Sequence, residues 1–367
     1  MGGERYCAAL GLESTGLGGD LPLIIAFVIL AAFTYTSGLR APAAIAIVKD
    51  ILIWITVIVA ITVIPLELGG YDRIFAAVPP DKLLLAAPQG NSLGNYSAYA
   101  TLAFGSALAL FLYPHSVTGV LSASNRLAIA RNAAFLPAYS LLLALIALLG
   151  YMAIAAGVHK AAEYAPLFKQ YGPNFAVPAL FLAMFPSWFV GVAFAAIAIG
   201  ALVPAAIMSI AASNLWTRNI YREFIRPDCT ALQESQMAKI VSLIIKFGAL
   251  VFILGLPLQY AIQLQLLGGV WIIQTLPTVI GGLYTRWFHD RALVLGWLAG
   301  IVAGTAMAAS QSFRPIYPLQ IGGLTIPTYA ALASLILNLI VVIALTPVFN
   351  AIHAVRGPDE TRAEHYV

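Results

Sequence analysis

Charge is what this chain of 367 residues has least of: Asp, Glu, Lys and Arg together make up 9%, against about 25% in ordinary soluble domains. With 61% hydrophobic residues and a mean hydropathy of +0.91, a water-soluble fold is excluded. Cysteine is nearly absent. Cys7 and Cys229 lie far apart, and no CxxC or Cys/His cluster accompanies them, which excludes a disulfide framework and a zinc site and leaves two structural thiols. No Walker loop, paired carboxylates or nucleophile and base arrangement occurs. Catalytic residues, a resident metal and a cofactor are therefore not expected, and an enzyme or an ATP-driven pump lacks its parts. The formal charge is +4, but the basic residues are spread through short gaps between apolar runs and form no patch, which excludes nucleic acid as a partner. The opening MGGERYCAALGLESTGLGGD has no basic stretch before an apolar core, so no cleavable signal peptide is expected.

What the chain has is long apolar runs. A helix rising about 1.5 Å per residue needs about 20 residues to cross about 30 Å of hydrocarbon. Nine runs fit, near 21–37, 42–66, 97–119, 133–157, 187–214, 238–256, 260–284, 292–310 and 326–349. The spacing predicts an all-α polytopic membrane protein: a tail over 1–20, a transmembrane domain over 21–350 and a cytoplasmic tail over 351–367. The piece 175–186 is too short to span and is expected as a hairpin or interfacial segment. If 21–37 runs inward, eleven Lys and Arg residues fall on the cytoplasmic side and six outside, Arg5 among them, as the positive-inside rule requires. The loops 67–96 and 158–186 are then external.

Ionisable groups inside such spans are costly and mark function or local compensation. Lys49 and Asp50 lie in the second span and Lys246 in the sixth. The first two either neutralise each other near the interface or carry a functional charge. Lys246 either snorkels along its helix or serves a site. Backbone interruptions are the other signal. In TLAFGSALALFLYPH, Gly105-Ser106 and Pro114 predict a kink or an unwound stretch around Phe104 to Ala107. His115 is a proton carrier or a hydrogen-bonded structural ring. Gly200 and Pro204 interrupt the fifth span, and Ser209, Ser213 and Asn214 follow as helix glue or as ligands.

Four stretches resemble the sodium:solute symporter family, in family order: SGLRAPAAIAIVKD (Ser37–Asp50), YPHSVTGVLSASN (Tyr113–Asn125), SNLWTRNIYREFIRP (Ser213–Pro227) and LPTVIGGLYTRWFHDRALVLGWLAGIVAG (Leu276–Gly304). The first two lean toward its monocarboxylate-permease branch. The resemblance implies a partial LeuT-type inverted-repeat fold in which 97–284 is the second repeat. It implies a symporter in the plasma membrane, moving a small organic solute, a monocarboxylate or small amino acid, by alternating access with a coupling cation. The family's usual thirteen or so helices imply that its first core helix lies outside these nine, so a truncated, non-transporting subunit or channel-like remnant is the alternative. By the same resemblance Phe104, Gly105, Ser106 and Phe111 face the substrate, Tyr113 and His115 line the inner exit, and Gln274, near Pro277, forms the opposite wall. The family's paired hydroxyls for sodium fall at Val203-Pro204, which offer no side-chain oxygen, whereas hard cations need oxygen ligands. Coupling is then expected at Lys49, Asp50 and Ser209, with sodium or a proton as the ion. Gly119 replaces an Arg common in the family.

Overall fold

The structure, a computed structural model, describes residues 21–255 and 261–358. The expected N-terminal tail with Arg5 and Cys7, and the C-terminal tail beyond 358, lie outside the described residues. In chain order the main elements are α1 (Leu21–Ser37), α2 (Arg40–Leu68), α3 (Gly94–Leu110), α4 (Pro114–Leu121), α5 (Arg126–Ala155), α6 (Ser187–Trp216), α7 (Ala231–Gly255), α8 (Ala261–Ile272), α9 (Leu276–Tyr284), α10 (Asp290–Ser310), the strands β1 (Ile316–Ile321) and β2 (Leu324–Tyr329), and α11 (Ala330–Ala351).

The all-α membrane architecture holds, with a different count. Among the described residues seven helical spans are long and apolar enough to cross a bilayer, eight if the bent pair α3 and α4 is one span. The helix over 21–37 has 17 residues and falls short of that length. In the most apolar window of each span no more than 33% is buried. The apolar surface left over needs hydrocarbon around it, since water would leave it as a very large exposed patch.

Local chemistry sets the helix ends. The Asn125 side chain caps α5 by accepting from Ala128 N at 2.9 Å, which explains an Asn at the end of the Ser-rich turn. Gly69, at φ 85°, closes α2 in the left-handed conformation. Two expectations are corrected. The helix is unbroken through Phe104–Ala107; the interruption falls at Phe111–Tyr113, where α3 and α4 meet at 41°. Pro114 lacks an N–H and disfavours helical backbone at the residue before it, whereas Gly105 costs a helix only about 1 kcal/mol. The last span begins at Ala330, not 326, because 316–329 form a hairpin with Ile321 opposite Leu324. Its two-residue turn is Gly322-Gly323, at φ 56° and 81°, the positive angles a tight hairpin needs.

The chain divides into two compact units, one formed by residues up to Pro79 with Thr118–Leu258, the other by Pro80–Val117 with Gln259 onward. In the first, α2, α5 and α6 pack around Ala60, Ile64, Leu149, Met152 and Phe189, and the short helix Ala176–Met184 joins this core through Leu180 and Phe181. Within 175–186 the structure has a short helix, not a hairpin, and its residues Ala179, Leu180 and Phe181 are buried because its apolar run has a core to enter. In the second unit, α3, α8, α10 and α11 enclose Ala109, Val270, Ile273 and Tyr329.

Candidate functional site

The expected substrate residues all fall in the second unit, on α3, on the bend after it, at the start of α4 and on the turn between α8 and α9. Gly105 and Ala109 are buried one turn apart on α3, and Leu112 is buried in the break that follows. A Cβ on Gly105 would lie 2.6 Å from the Tyr329 ring, so this glycine permits close packing of α3 on β2. Phe104 and Phe111 point away, at 60% and 67% exposure, and Ser106 is half-buried.

At the bend, Tyr113 Oη donates to the Gln265 carbonyl at 3.2 Å, and its ring centroid is 5.4 Å from that of half-buried His115. Tyr329 Oη donates to the neighbouring Leu266 carbonyl at 2.5 Å, while Tyr329 N donates to Thr101 Oγ1 at 3.0 Å. Burial, and then the nearby Tyr113, push the Tyr329 phenol above its ordinary value, which keeps it a neutral donor. Two phenols thus hold consecutive carbonyls of α8 beside Gly268-Gly269, where a Cβ at Gly269 would collide with Tyr329 Oη.

Gln274 is fully buried, in the 3₁₀ turn Ile273–Thr275 that leads into Pro277. Its Nε2 donates to Ser334 Oγ at 2.9 Å and to the Val270 carbonyl at 3.0 Å. Asn338 Nδ2 donates to the Gln274 backbone carbonyl at 2.9 Å and to Oε1 at 3.2 Å. Among the described residues no hydrogen bond joins Gln274 to Phe104, Ser106, Tyr113 or His115. It fixes the α8–α9 turn onto α11.

In the first unit the structure brings Lys49 and Asp50 together at 2.6 Å and turns Lys49 toward α5, where Nζ lies 3.4 Å from Tyr139 Oη and 5.6 Å from its ring centroid. Ser209 is not joined to them. It is buried, donates to the Ala206 carbonyl at 2.8 Å, and accepts from Ser242 Oγ at 3.5 Å. Among the described residues there is no group of three or more His, Cys, Asp or Glu placed to hold a metal ion.

The model of the sodium:solute symporter family matches residues 7–304. The chain belongs to the sodium:solute symporter family. A monocarboxylate transport permease protein of Rhizobium johnstonii is 49% identical over 350 residues, 95% of this chain and 68% of the relative. The symporter YodF of Bacillus subtilis, itself uncharacterized, is 30% identical over 89% of this chain and 62% of its own length. A second, YhjB of the same organism, is 28% identical over 76% and 55%. The chain thus spans between 55% and 68% of these curated relatives. Membership fixes a multi-pass membrane protein of a transporter family.

Part of the second unit was not legible as a site from the sequence motifs alone. Gly296, Gly300 and Gly304 on α10 recur every four residues and face Asn338, Gln274 and Ser334. That small-residue spacing is a known signal for close helix contact. Ser334 and Asn338 carried no comparable signal, as lone polar residues in an apolar run.

Proposed function

We propose that this symporter moves a small monocarboxylate across the plasma membrane together with a cation, by alternating access. The observation that carries the reading is the 49% identity to a protein named a monocarboxylate transport permease, over 95% of this chain. In this reading Phe104, Ser106 and Phe111 face the solute, and Tyr113 and His115 line its exit beyond the bend. Gly105 and Gln274 act from behind, holding α3 and the α8–α9 turn. Residues 97–284 form the second inverted repeat. Lys49 and Asp50 carry the coupling charge, supported by the placement of two ionisable groups within an apolar helix, where such groups are costly, and by the lack of side-chain oxygen at Val203-Pro204.

Uptake of labelled pyruvate into proteoliposomes under an imposed proton gradient, with and without sodium, tests the reading. Proton-driven uptake without sodium, abolished by the double substitution Lys49→Ala and Asp50→Ala, is the expected result. Sodium-dependent uptake that survives that substitution refutes the coupling assignment. Absence of pyruvate and lactate uptake refutes the substrate.

A further inference from the structure

Lys246 is 4% exposed yet lies far along an apolar helix, and neither the proposed site nor the helix packing uses its charge. Its Nζ donates to Ser242 Oγ at 2.6 Å. An ammonium has three N–H donors, and among the described residues no carboxylate lies within ion-pair distance of it. Glu234, earlier on α7, is held by Arg218 at 3.1 Å and Arg222 at 3.2 Å.

The amine borders a cavity of about 230 Å³ where the end of α1, the end of α6 and the first half of α7 meet. Besides Tyr35, its polar lining is Thr34, Ser213, Asn214, Ser235, Ser242 and the two lysines Lys239 and Lys246, with no Asp or Glu. Thr34 and Ser213 spend their hydroxyl hydrogens on their own helices, whereas the Asn214 amide, on the same lining, brings two N–H donors. Lys239 stands over the Tyr35 ring at 5.4 Å, also on the lining. A charge removed from water without a counter-charge is strongly penalised. Two lysines and no acid give the cavity a positive potential that attracts anions, and its volume is below the roughly 300–1,000 Å³ of drug-sized sites.

We propose that this cavity is a binding site for a small oxyanion, a carboxylate or a phosphate group, whose charge is met by Lys246 with Asn214 and Lys239 completing the cradle. The ligand satisfies the donors that Ser242 leaves open. The lining residues all belong to the first unit and include none of the substrate residues named above.

The test uses the full chain in nanodiscs of zwitterionic lipid and follows reductive methylation of Lys246 by formaldehyde, residue by residue, by mass spectrometry. Exposed Lys82 is the internal reference. Pyruvate or inorganic phosphate is expected to slow methylation at Lys246 saturably, by about tenfold once the anion exceeds its Kd tenfold. Lys82 and the neutral ester methyl pyruvate show no such effect, and Asn214→Ala raises the half-protecting concentration several-fold. Protection by anionic-lipid nanodiscs without added anion identifies the oxyanion as a headgroup phosphate; protection by the soluble salts identifies a free anion. Equal rates under all conditions, or equal protection by the ester, overturn the proposal. The readout is at Lys246 itself, so a failure of pyruvate transport leaves it unaffected.

Discussion

Gly300→Ala isolates what the glycine stripe of α10 does. A Cβ there would collide with Gln274 Oε1, sit 2.7 Å from Gln274 Cδ and 3.1 Å from Asn338 Cβ. Gln274 is 0% exposed and bonded on both sides, so it has no room to withdraw without breaking its bonds to Val270, Ser334 and Asn338. Overpacking costs about 1–3 kcal/mol, and three membrane-type hydrogen bonds at about 0.6 kcal/mol each add about 2. Alanine returns about 1 kcal/mol of helix propensity, leaving a net loss of about 2–4 kcal/mol. Gly282→Ala, on α9, is the matched control, because its Cβ meets nothing within 4 Å and only the propensity gain of up to about 1 kcal/mol applies. The folded fraction after graded heating in detergent, read by fluorescence size-exclusion chromatography, should fall for Gly300→Ala and stay level or rise for Gly282→Ala. If the two variants behave alike, α10 does not pack on the Gln274 turn as described.

Tyr329→Phe removes the donor to the Leu266 carbonyl and should cost about 1 kcal/mol of stability, measured by the same heating series. Because the Tyr329 phenol is raised in the folded state, its contribution is present below the ordinary tyrosine value of about 10 and is lost as pH rises beyond it. The phenylalanine variant should therefore lose less stability than the native protein between neutral and strongly alkaline pH. Glu234→Gln breaks the bridges to exposed Arg218 and Arg222; exposed pairs are worth about 0–1 kcal/mol, so the variant should shift little, and the shift should shrink in high salt.

The sequence by itself determined the solvent and the class. Nine percent charge and repeated apolar runs leave only helices in a bilayer, because every backbone group in hydrocarbon must be satisfied within its own segment. Four short motifs were enough to point to the family, and Pro114 and Lys49-Asp50 were conspicuous before any coordinates. The Gly322-Gly323 turn and the stripe Gly296, Gly300, Gly304 left signals in the sequence that went unread, since positive φ and close approach both select glycine. Tertiary structure decided the rest. Hydropathy reports that a residue is apolar, not which neighbour it meets, so Phe104 and Phe111 could not be separated from Gly105 without knowing that β2 and Tyr329 cover one side of α3. The break fell at Phe111–Tyr113 instead of at Gly105-Ser106 because packing against Tyr329 holds the glycine in the helix, while nothing restores the N–H that Pro114 lacks. Partners far along the chain account for Gln274 with Asn338 and for the cavity that Lys246 shares with Thr34 and Asn214. Such pairings depend on which helix faces come together, and that is set by the packing of the whole unit.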